Sequence, residues 1–86
     1  MKILDGRNML TRAQAHDELK RVLALPDYYG RNLDALWDLV STMEDEVALI
    51  NAEAMKQSLG LYGEKLLSLF IDAQNQNPAF RFAWKD

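Results

Sequence analysis

The chain has no cysteine, a single histidine, two prolines and four glycines in 86 residues. Without thiols there is no disulfide framework and no thiolate metal site, a usage compatible with a reducing compartment. No apolar run approaches the roughly 18 residues of a membrane-spanning helix. The opening "MKILDGRNML" lacks the apolar stretch of a secretory leader. The sequence therefore predicts a cytoplasmic protein that does not engage a membrane. No repeat, linker or low-complexity segment interrupts it, so residues 1–86 are expected to form one domain, near the lower size limit for folding on a single core. An apolar content of 49% and a charged content of 27% are ordinary for a globular chain.

Positive charge is scarce in the middle third. Residues 27–53 hold Asp27, Asp34, Asp38, Glu44, Asp45, Glu46 and Glu53 against Arg31 alone, and seven acids less one base leave −6. The remaining chain has nine bases and six acids, a net +3. Binding to nucleic acid phosphates needs a basic footprint, which argues against nucleic acid as the direct ligand. A basic partner fits better, because complementary fields speed encounter.

The apolar pattern alternates between the two regular periods. Lys2–Asp5 reads as a short strand ended by Gly6. Thr11 and Gln14 have capping-box spacing, and behind them Ala15, Leu19, Val22 and Leu23 form the stripe of an amphipathic helix. Pro26 is expected to end it, and residues 26–31 form a loop. Asn32 is placed to cap a second helix, whose buried stripe is Leu33, Leu36, Trp37 and Val40. Glu46–Asn51 contains "VALI", a continuous apolar run of the kind found in strands covered on both faces. A helix over Ala52–Leu59 stopped by Gly60, a longer one over Tyr62–Asn77, and a final strand in "AFRFAWK" complete the chain. Strands separated by helical crossovers predict an α/β fold: a small three-stranded parallel sheet packed by about four helices.

The second helix repeats a negative charge on one side. At about 3.6 residues per turn, Asp34 and Asp38 share an outward face, and Trp37 stands between that face and the core stripe. Like charges spaced i, i+4 destabilise an isolated helix by about 0.2–0.5 kcal/mol. The helix dipole offsets part of this for Asp34, in the first turn, but little for Asp38. Tyr28, Tyr29 and Trp37 flank the acids, and aromatics around a charged centre suit protein binding. One tyrosine of the pair is expected to pack inward and the other to stay exposed.

The segment "LALPDYYGRNLDALWDLV", Leu23–Val40, resembles the signature of the barstar family, intracellular inhibitors of the secreted ribonuclease barnase. The match is dense over these eighteen residues and elsewhere rests on element order, length and apolar pattern. The resemblance implies a barstar-like fold and an inhibitor that plugs the basic active site of a barnase-like, extracellular-type ribonuclease in a 1:1 complex, without a cofactor. On matching positions, Asp38 would mimic a substrate phosphate, Asp34 would pair with another cation, and Tyr28 would stack on a catalytic imidazole. Tyr29, Gly30, Asn32, Leu33 and Trp37 would supply backbone and packing contacts. Asp72, in "FIDA", matches an acid of the family's last helix that also reaches the nuclease. Two places depart from the better-known member: Arg31 stands where it has glutamate, and Met43 and Glu44 where it has glycine and a contacting tryptophan. Both bear on which nuclease is bound.

Other classes fit less well. Carboxylates at i, i+4 on one exposed face do not flank a substrate from two sides, as paired catalytic carboxylates do. His16 lies on another helix and reads as a solvated or half-buried histidine. Asp34, Asp38 and Glu44 match no calcium-loop spacing. An interaction or immunity module of the same fold, binding a different basic partner such as another toxin nuclease, shares every feature above.

Overall fold

The computed structural model describes every residue from Met1 to Asp86. Three strands, β1 (Lys2–Asp5), β2 (Glu46–Ile50) and β3 (Arg81–Trp84), lie in the order β1-β2-β3, all parallel. Four helices connect them: α1 (Arg12–Leu23) and α2 (Leu33–Val40) before β2, then α3 (Ala52–Leu59) and α4 (Leu61–Gln76) before β3. The α/β architecture matches the pattern of strands and helices read from the sequence. No helix is long and apolar enough to cross a membrane.

The register places Lys2, Val47 and Phe82 side by side, then Leu4, Leu49 and Trp84. Leu4, Val47, Leu49 and Phe82 of this face are buried, together with Leu19, Leu36, Leu66 and Phe70 from the helices. The opposite face carries Ile3, Ala48, Ile50 and Ala83, of which Ile3 is 52% and Ile50 37% exposed. The expectation that "VALI" is covered on both faces is therefore corrected: only Val47 and Leu49 are buried. Because the strand order advances in one direction, right-handed crossovers put all the helices on the same side of the sheet.

Local chemistry sets the ends of the elements. The Thr11 side chain accepts the Gln14 N–H at 3.1 Å, and Asn32 Oδ1 accepts the Ala35 N–H at 2.8 Å. Helix α1 stops at Leu23, three residues before Pro26, because Ala24 turns into the left-handed region (φ 53°, ψ 47°) and the Leu25 N–H then returns to the Lys20 carbonyl. Gly60 separates α3 from α4 with φ 59° and ψ −128°, a combination open to glycine. On β3, the Phe82 N–H that faces away from the sheet is capped by Gln74 Oε1 at 2.7 Å, which blunts that edge.

Candidate functional site

Between α1 and α2 the chain makes a compact loop whose shape is fixed by its own side chains. Leu25 and Tyr29 are buried, and the Tyr29 N–H closes a turn on the Pro26 carbonyl at 3.0 Å. Asn32 then works in both directions: its Nδ2 donates to the Gly30 carbonyl at 3.2 Å while its Oδ1 caps α2. A methyl group on Gly30 would sit 3.2 Å from Ala35 Cβ, so the loop lies tightly against the first turn of α2. The left-handed residue of the turn is Arg31 (φ 55°).

The tyrosine pair divides as expected. Tyr28 is 83% exposed and Tyr29 is 5% exposed. The Tyr29 hydroxyl lies 2.6 Å from His16 Nδ1, and the other ring nitrogen of that histidine lies 2.6 Å from the Tyr62 hydroxyl. His16 is 2% exposed, so the reading of a solvated or half-buried residue is corrected. Its neighbours come from 13 and 46 residues away in sequence, beyond the reach of a local pattern. A local clue did exist, because His16, Leu19 and Leu23 share the i, i+3, i+7 stripe. Burial holds the imidazole below its ordinary pKa, with the Arg31 charge adding to the effect and Asp17 opposing it.

Helix α2 presents the aspartates as the wheel predicts. Leu36 and Val40 are fully buried, Leu33 and Trp37 half-buried, and Asp34 and Asp38 exposed. Seven of the thirteen acids (Asp5, Asp17, Glu18, Asp27, Asp45, Glu53 and Asp86) form ion pairs within the chain. Asp34 and Asp38 are among the six that do not, with Glu44, Glu46, Glu64 and Asp72. Helix α4 runs beside α2, and a groove of about 370 Å³ between them is lined by Leu33, Asp34, Trp37, Glu64, Lys65, Ser68, Leu69 and Asp72. Asp72, expected from the last long helix, thus joins Asp34 and Trp37. Glu64 lines the same groove and was not singled out from the sequence.

Arg31, the lone cation of the acidic third, does not point at the aspartates. Its guanidinium pairs with Asp17 at 2.6 Å and donates to the Ala13 carbonyl at 3.2 Å, both on α1. A second cleft, of about 400 Å³, opens there between the N-terminal turns of α1 and α2, with Arg12, Arg31, Asn32, Asp34 and Tyr62 among its walls. No group of three or more histidine or carboxylate side chains is placed to hold a metal ion.

This arrangement suits recognition of a cationic, partly aromatic surface: a half-buried indole, a free phenol and carboxylates whose lone pairs are uncommitted. Two comparisons with known proteins bear on the family. The profile of the family described as Barstar (barnase inhibitor) matches residues 1–84. Over 77 residues the chain is 42% identical to the Bacillus subtilis (strain 168) protein named "Putative ribonuclease inhibitor YrdF", an alignment that covers 86% of this chain and 85% of that one. The chain belongs to the barstar family.

Proposed function

We propose that this protein is a non-enzymatic inhibitor of a barnase-type ribonuclease, acting as a 1:1 plug in the enzyme's basic active site. One observation carries the reading: Asp34 and Asp38 stand on the exposed face of α2 and form no ion pair within their own chain, while seven other acids are paired. Their counter-charges belong to the partner. Family membership and the name of the relative support the same direction.

In this reading Asp38 accepts hydrogen bonds from active-site cations in place of a substrate phosphate, and Asp34 and Asp72 hold further cations along the groove. Tyr28 contributes its exposed ring. Trp37 and Leu33 form the apolar floor, while Tyr29, Gly30 and Asn32 contribute backbone groups and hold the loop in shape. The loop backbone is already closed by Asn32 and the turn at Pro26, and such preorganisation lowers the cost of association.

The test is a titration of barnase with the purified protein. Activity is expected to fall in proportion to added protein and to reach its floor near one equivalent. Full activity of barnase and of other secreted basic bacterial ribonucleases at large excess of the protein would remove the inhibitor reading.

A further inference from the structure

We propose that the cleft at the start of α1 and α2 is a socket for a carboxylate of the partner, so that a cationic pocket borders the acidic face. The inference rests on the inhibitor reading and adds a feature of the enzyme: an Asp or Glu at the rim of its basic active site.

Arg12 is the key residue. Of the five arginines, Arg7, Arg21 and Arg31 are held by acids of the chain, whereas Arg12 and Arg81 are not. The Arg12 guanidinium lies over the ring of Tyr62, 4.2 Å from its centroid, and the Tyr62 hydroxyl is itself fixed on His16 at 2.6 Å. Stacking on an aromatic face orients a guanidinium yet leaves its in-plane N–H fork free. That fork is the geometry a carboxylate matches with two parallel hydrogen bonds. Arg31 and Asn32 line the same cleft.

The cleft is continuous with the candidate interface, because Leu33 and Asp34 line both it and the α2–α4 groove. A partner seated over Asp34 therefore covers Arg12. A partner cation entering the cleft would meet the Arg12 guanidinium, which no acid of the chain neutralises, while Arg31 is already paired with Asp17. The partner of the inhibitor reading is a protein, whose anionic side chains are carboxylates, so the anion offered to the guanidinium is an Asp or Glu. Arg12 and Asp34 both line the cleft, of about 400 Å³, without forming an ion pair. Such a socket selects among basic enzymes, since one presenting a lysine or arginine at this rim is rejected.

The test compares the wild-type protein with Arg12→Gln and Arg12→Glu against barnase and other secreted basic ribonucleases, using the enzyme that the wild type inhibits most strongly. The Arg12 side chain is exposed and makes no hydrogen bond within the chain, so both variants are expected to fold, as checked by circular dichroism. Arg12→Gln should raise the inhibition constant roughly tenfold, the loss of one charge-assisted pair, and Arg12→Glu should raise it further. Changing one Asp or Glu of the enzyme to Lys should restore inhibition by Arg12→Glu. Variants within about twofold of wild type, or tighter, overturn the socket while leaving the inhibitor reading intact. A loss that no such change in the enzyme rescues overturns the carboxylate as its occupant. If the wild type inhibits none of the enzymes, the inhibitor reading fails and the socket with it.

Discussion

The Tyr29 hydroxyl and His16 Nδ1 lie 2.6 Å apart in the buried interior, tying the loop that displays Tyr28 to the middle of α1. Two adjacent tyrosines thus have opposite settings, one buried and one exposed, and single substitutions should separate their effects. Tyr29→Phe leaves a buried imidazole nitrogen without its partner and is expected to cost about 1–3 kcal/mol of stability. Tyr28→Ala removes an exposed ring and should change stability by less than about 0.5 kcal/mol, yet weaken inhibition. Urea unfolding of both variants, beside inhibition titrations, would show either this separation or equal losses in both assays.

The same histidine makes stability depend on pH. Burial lowers its pKa in the folded state, so between the folded value and the ordinary value of 6.5 the unfolded chain binds the extra proton. The stability associated with neutral His16 is complete above about pH 6.5 and is lost as pH falls through the lowered folded pKa. The urea midpoint of the wild type should therefore hold down to about pH 6.5 and decline as the pH falls further. In His16→Gln that decline should flatten, with lower stability at neutral pH. An equal slope in the variant would assign the effect to other groups.

Gly6 is expected to be the least replaceable glycine. A methyl group there would fall 2.0 Å from the Asn51 carbonyl oxygen, at the point where the turn after β1 presses on the start of α3. Asp5 stitches the same junction by accepting from Asn51 Nδ2 at 3.0 Å and from the Arg7 N–H at 2.9 Å. Neither backbone can yield independently, so Gly6→Ala should cost at least about 2 kcal/mol, seen as a loss of roughly 8 °C or more in Tm for a domain of this size. A shift of a degree or two would show that the junction relaxes.

The fold was largely legible because its signals are local. Thr11 and Asn32 cap their helices as the side-chain chemistry predicts, Gly60 breaks α3 from α4, and the period-two run after Pro78 becomes β3. The misses came from contacts made at a distance. Nothing near Ala24 announces a left-handed alanine, whose strain is offset by the tertiary packing of Leu23 and Leu25. The apolar run "VALI" does not encode which face the helices cover, and that depends on the direction of strand order. For the candidate site, periodicity alone placed Asp34, Asp38 and Trp37 correctly on α2. The partners of His16 and the meeting of Arg12 with Tyr62 required the third dimension.

Salt should act on association. Asp34 and Asp38 are exposed and unpaired, so their field reaches a basic partner through solvent and is screened with a Debye length of about 10 Å at 0.1 M salt. Raising salt from about 0.05 M to 0.5 M should slow association with the inhibited ribonuclease by at least about tenfold, with a smaller change in dissociation. Stopped-flow tryptophan fluorescence can follow it in a Trp84→Phe background, which leaves Trp37, half-buried beside the aspartates, as the chain's reporter. Association that does not respond to salt would mean that these charges do not guide the encounter.

The central claim is that the unpaired charges of α2 are completed by another protein, and Asp38→Ala tests it most directly. The Asp38 side chain is exposed and makes no hydrogen bond or ion pair within the chain, so the variant should unfold at or slightly above the urea concentration of the wild type. The measurement is the inhibition constant of each protein against the same ribonuclease. Loss of the charge-assisted hydrogen bonds, with cations of the enzyme left unpaired, predicts inhibition weaker by roughly 10- to 100-fold. A folded Asp38→Ala protein that inhibits as strongly as the wild type would contradict the claim.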